Sequence, residues 1–142
     1  MALLLPSQSD VDDFLEKMPA KPRRTWRAKF GDAFRGLKLG IRGHSSFFVH
    51  FFFAALVLAA GIVLRLGAME WCLLLGCIGM VLTAELFNSA IETLFRGLDD
   101  ATKTKTHTCL DIAAGAVLMA SIVAAVIGTI IFISRLMALL NG

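Results

Sequence analysis

Three stretches of this chain run so long without a formal charge that their pattern predicts helices crossing a bilayer, a task needing ~20 residues each. The first covers about residues 47–64, from Phe47 to Leu64, with His50 as its only strongly polar side chain. The second, about residues 71–95, starts at Trp71, where an indole suits the membrane interface, and meets Glu85 and Glu92 before it ends. The third, about residues 110–134, carries no charge from Ile112 to Ser134. A spanning chain satisfies its backbone hydrogen bonds internally, and nothing here alternates with the period of two that a barrel requires, so helices remain. Residues 65–70 make a tight connection and residues 95–109 a polar loop.

Ahead of the first span, over about residues 25–43, Trp26, Phe30, Ala33, Phe34, Leu37 and Ile41 fall in one sector when the chain is wound at ~100° per residue. Arg27, Lys29, Arg35, Lys38 and Arg42 point elsewhere. This is the pattern of a basic amphipathic helix lying along a membrane surface, cations near anionic headgroups. A nucleic-acid arm and a partner-binding helix are rival readings. The direct run into a spanning stretch favours the surface helix, and no nucleic-acid partner is expected. Residues 1–20 hold Asp10, Asp12, Asp13 and Glu16 behind a short apolar run, Ala2 to Leu5, too brief for a signal-peptide core. They read as an acidic mobile tail.

Composition agrees with a chain lying mostly in lipid: 142 residues, 57% apolar and 18% charged, with a mean hydropathy of +0.74. One all-α domain is expected over residues 21–142, with little room for a large water-filled cleft inside a single protomer. The net charge of +3 is strongly segregated, at −3 over residues 1–20, +7 over 21–43 and −1 over 44–142. The positive-inside rule then sets the amino terminus and second loop in the cytoplasm, the first loop and carboxyl terminus outside. Glu85, Glu92 and Asp111 all fall toward the cytoplasmic face. Ala114, Ser121, Ala125 and Gly128 lie near one stripe of the third span and would admit another helix closely. A homo-oligomer is the natural way to keep the carboxylates from lipid. Cys72, Cys77 and Cys109 give neither a disulfide framework nor a metal signature.

Glu85, Asn88 and Glu92 are spaced i, i+3 and i+7, so on a helix they share one face and span ~10 Å of its axis. Acids so placed repel one another unless protonated, paired or bound to a cation. Mg²⁺ fits, because it takes one or two carboxylates plus substrate phosphates, and a carboxylate not used on metal could accept a proton from an attacking hydroxyl. Interhelical polar glue, and after it a proton or ion path, are the rival readings that the spacing leaves open. The chain has no GxxxxGK[ST] loop, no HRD and DFG pair and no HExxH, so any phosphoryl transfer uses an unrelated site.

The run Glu85-Leu86-Phe87-Asn88-Ser89-Ala90-Ile91-Glu92 resembles the E-[LIV]-x-N-[ST]-A-[IV]-E signature of the bacterial integral-membrane diacylglycerol kinase and undecaprenol kinase family. Asp111-Ile112-Ala113-Ala114-Gly115-Ala116-Val117-Leu118 resembles its K-D-x-x-x-x-A-V-L segment. Ala33-Phe34-Arg35-Gly36-Leu37 and Phe47-Phe48-Val49-His50 resemble its A-[FW]-[RK]-G-[LI] and F-R-I-H elements. The resemblance runs from about Lys29 to Ala120. It implies a homotrimeric, ATP-dependent lipid kinase of the bacterial inner membrane, with composite sites between neighbouring chains. It also implies roles: Glu85 as general base toward the lipid hydroxyl, Glu92 as the Mg²⁺ carboxylate, Asn88 as its supporting amide and Asp111 in nucleotide binding.

Three positions depart from that pattern. His44 stands where the family has a second metal-binding Glu, Phe48 where it has Arg, and Leu110 where it has a phosphate-facing Lys. His44 is the candidate second metal ligand, and Arg42, Lys103 or Lys105 the candidate replacement cation. An altered or inactive protein on the same scaffold is the alternative function, and an ion or small-solute transporter a third. His50 reads as an interface or packing residue and His107 as a solvated loop residue.

Overall fold

The computed structural model describes residues 25–43 and 45–141. The acidic tail and His44 lie outside the described residues. Among those described there is no strand, and five helices follow one another: α1 Trp26–Arg42, α2 Ser46–Val63, α3 Ala68–Arg96, α4 Asp100–Thr106 and α5 Thr108–Leu140. The three longest of them, α2, α3 and α5, are each long and apolar enough to cross a membrane.

The chain divides into two compact units, Met1–Ala33 and Phe34–Gly142. In the first, Thr25 starts α1: its carbonyl accepts from the Lys29 amide, and Lys29 Nζ stands 4.7 Å over the Trp26 ring. No residue of α1 is buried within the protomer, and the aromatic sector of Trp26, Phe30 and Phe34 is exposed.

In the second unit, α2 stops in a Schellman turn. Leu66 N–H reaches the Gly61 carbonyl and Arg65 N–H the Ile62 carbonyl, with Arg65 in the left-handed region at φ 50°. Gly67 then opens α3 in extended geometry, and Glu70 reaches back to accept from the Gly67 amide at 2.6 Å, half of a capping box. An ideal Cβ on Gly61 would stand 2.9 Å from the Trp71 ring, so this crossing requires a glycine.

Residues 95–109, expected as a polar loop, include a helix. Asp99 caps α4 by accepting from both the Thr102 amide, at 3.0 Å, and the Thr102 hydroxyl, at 2.6 Å. Those two bonds, the hydroxyl's first, hold the Asp99 carboxyl below its ordinary range. The third spanning helix also runs past its expected end to Leu140. The charge at Arg135 does not stop it, because the guanidinium donates to the Arg65 carbonyl at 2.7 Å and lies 3.5 Å from Glu70. This polar knot ties the α2–α3 turn to α5.

The principal packing is α5 along α3. On α3 the buried stripe is Leu74, Cys77, Val81, Glu85, Asn88 and Ser89, stepping by three and four residues as a helix face must. On α5 it is Ala113, Ala120, Gly128 and Ile131, the first three small residues that let the backbones approach. Of the small-residue stripe read from the sequence, only Gly128 is buried there, while Ala114 and Ala125 are exposed. On a helix apolar all round, composition leaves the rotational phase open; the face of α3 sets it.

Candidate active site

Glu85 begins the polar part of the α3 stripe and is 2% exposed. A carboxylate buried this deeply is stable only with polar partners around it, and α2 supplies a donor and an imidazole. Ser46 Oγ donates to Glu85 Oε1, and His50 Nε2 faces Oε2 at 3.6 Å. Neither residue stood out in the sequence as a partner of Glu85; His50 read as a packing residue. Their i, i+4 spacing on an apolar helix is the only signal, and it means something only once α2 is known to lie against this turn of α3. Phe47, between them, is 2% exposed and fixes the rotation of α2 at this point.

One turn further on, Asn88 Nδ2 donates to Glu92 Oε1 at 2.9 Å. The i, i+4 pair brings an amide and a carboxylate together at the edge of the buried region. Next to Asn88, the Ser89 hydroxyl is buried with no partner among the described residues, while Thr93 Oγ1 donates to the Ser89 carbonyl at 2.8 Å. The described residues include no group of three His, Cys, Asp or Glu placed to hold a metal ion. The donor chemistry of Asn88 and Glu92 nevertheless suits a hard cation that completes its shell with phosphate and water oxygens.

The remaining expected residues are arranged more openly. Asp111, in the first turn of α5, is exposed and lies 3.9 Å from His107 Nδ1. His107 is, as expected, an exposed residue of the turn that joins α4 to α5, and it meets the Phe95 ring edge-on. Lys103 pairs with Asp100 at 3.7 Å, and Lys105 is exposed. The structure thus places Glu85 with Ser46 and His50, Asn88 with Glu92, and Asp111 with His107. Leu110 is half-buried and Phe48 exposed.

An apolar cavity of about 630 Å³ lies between α2, α3 and α5. Val57, Leu74, Val81 and Phe132 are among its walls, and its polar contributors are His50, Ser121 and Thr129. His50 therefore borders both the cavity and Glu85.

Comparison with known proteins gives two findings. The family model for prokaryotic diacylglycerol kinase matches residues 31–132. The undecaprenol kinase of Bacillus subtilis (strain 168) is 30% identical over 123 residues, an alignment covering 84% of this chain and 100% of that protein. No solved structure matches the chain significantly.

Proposed function

The chain belongs to the prokaryotic diacylglycerol kinase family and is a membrane lipid kinase, and on that footing we propose that it transfers the terminal phosphoryl group of ATP, with Mg²⁺, to the hydroxyl of diacylglycerol or undecaprenol. One observation carries the reading: a buried carboxylate, Glu85, faces His50, which lines an apolar interhelical cavity, and stands one turn ahead of the Asn88–Glu92 pair. The cavity accepts the lipid's apolar chain, so its hydroxyl arrives near Glu85. The oxygen of that hydroxyl attacks the terminal phosphorus, its proton passes to Glu85, and the bond to the departing ADP breaks. Glu92, supported by the Asn88 amide and with His44 as a further ligand, would hold Mg²⁺, which would supply the neutralisation of phosphate charge that phosphoryl transfer requires. Asp111, Lys103 and Lys105 contact the nucleotide.

The wider assembly is part of the same proposal. α1 lies on the cytoplasmic surface of the inner membrane, with the amino terminus inside and the carboxyl terminus outside. Three copies associate through the apolar faces that each protomer leaves uncovered. Leu110 favours one second reading: a site lacking that cation differs in its nucleotide preference, and Leu110→Lys, alone or with His44→Glu, restores preference for ATP.

The test is transfer of labelled phosphate from ATP to each lipid alcohol by the purified protein in mixed micelles. Glu85→Gln and Glu92→Gln should each lose ~100-fold or more, the scale of a general base or a phosphate-neutralising group. Equal transfer by the variants overturns the site assignment. No transfer to either lipid overturns the function.

A further inference from the structure

The mechanism above leaves His50 without a task, although it both faces the buried carboxylate and lines the apolar cavity. Ser46 and His50 stand one helical turn apart on α2, so they project from one face, and each meets a different oxygen of the same carboxylate. A glutamate side chain has three rotatable bonds. A single donor on one oxygen leaves the carboxyl free to swing about that contact, whereas donors on both oxygens fix its plane. Phe47 locks the platform from which they project: it is buried, and its ring lies 5.9 Å from that of Phe51 in the next turn.

We propose that His50 is a positioning residue for Glu85, acting with Ser46 to hold the carboxylate in the plane from which it receives the substrate proton. The inference rests on the reading of Glu85 as the base. The 3.6 Å separation of His50 Nε2 from Oε2 is longer than a hydrogen bond, and contacts of this kind tighten when substrate is bound. Entry of the lipid chain along the cavity wall beside His50 is the event that closes it. Holding the base to within a fraction of an ångström matters because a misplacement of ~1 Å costs a factor of ~100 in rate.

The experiment uses the full chain in mixed micelles and two readouts. In the first, His50→Ala lowers kcat by ~10- to 100-fold while KM for ATP stays within ~2-fold. His50→Gln, whose amide nitrogen falls near the imidazole Nε2 position, recovers most of that loss. In the second, the four glutamates of the chain are labelled at the carboxyl carbon and observed by NMR, with the Glu85 signal assigned by its disappearance in Glu85→Gln. That signal shifts in His50→Ala and returns toward its original position in His50→Gln, while Glu70, at the opposite end of α3, stays in place. An unchanged kcat, or an unmoved Glu85 signal, overturns the proposal. Movement of Glu70 together with Glu85, without rescue by Gln, also overturns it by revealing a general structural loss. If the wild-type protein phosphorylates neither lipid alcohol, the functional reading falls, and the Glu85 signal still decides whether His50 holds the carboxylate.

Discussion

Asn88→Asp is the sharpest probe of the proposed cation site, because it changes one atom of the 2.9 Å contact between Asn88 and Glu92 and nothing in side-chain shape. The donor nitrogen becomes an oxygen of a second carboxylate. With the two charges ~4 Å apart, their repulsion is ~4 kcal/mol at an effective dielectric constant of ~20 and ~1 kcal/mol in bulk water. Asn88 is 9% exposed and Glu92 half-buried, so the value falls between those limits. The lost hydrogen bond adds ~1 kcal/mol. In a chelating buffer the variant should therefore be less stable than wild type by ~2–5 kcal/mol. Magnesium should reverse this, because two adjacent carboxylates are a better hard-oxygen ligand set than one carboxylate and an amide. At ~100 times its dissociation constant, an ion that binds only the folded state contributes ~2.7 kcal/mol. The assay is unfolding in micelles followed by the fluorescence of Trp71, which packs against Gly61, with and without millimolar Mg²⁺. A variant as stable as wild type in chelator refutes the contact. A variant destabilised in chelator but indifferent to Mg²⁺ refutes the cation site.

Three further outcomes follow from the turns that frame the site. Gly61→Ala should destabilise the α2–α3 crossing by ~1–3 kcal/mol, because the added carbon meets the Trp71 ring at 2.9 Å and Leu66 Cδ1 at 3.2 Å; unfolding curves of the micellar protein check this. Arg65→Gly should raise stability by ~1 kcal/mol in the same assay, since a left-handed residue at the end of a Schellman turn is relieved by losing its Cβ. At Asp99, the folded carboxyl titrates below its ordinary value of 3.8, so the α4 cap binds fewer protons folded than unfolded. Its contribution is complete above that ordinary value and is lost as pH falls through the lower, folded one. Hydrogen exchange at the Thr102 amide should show no weakening of the cap between neutral pH and mild acid, followed by fraying below.

The three spans were legible because two are long uncharged runs and the other, the second, carries only Glu85 and Glu92 after an uncharged start, and their positions differ from the sequence reading only at the ends. Those differences have physical causes. Residues 95–109 look like a loop because Asp99, Asp100, Lys103 and Lys105 crowd together; the capping of Thr102 by Asp99 makes a helix of them. The third span looks finished before Arg135, since a lone cation should end an apolar helix. Its partners, Glu70 and the Arg65 carbonyl, come from a turn far away in sequence, and no local pattern announces them.

For the site, helical spacing alone placed Glu85, Asn88 and Glu92 on one face, yet it could not say which neighbours make a buried acid tolerable. That information lies in the pairing of α2 with α3. In a helix as apolar as α2, a serine and a histidine one turn apart look incidental, and Phe48, where a cation of the resembled pattern would be, draws the eye first. The packing reverses this ranking. Phe48 is exposed, whereas Ser46 and His50 are the residues that meet the carboxylate. A polar side chain inside an otherwise apolar helix costs free energy wherever it sits, so its position marks where a partner must be. For α2 the partner is Glu85. In the proposed mechanism the helix bordering the cavity is therefore also the helix that orients Glu85, and the two tasks meet at His50.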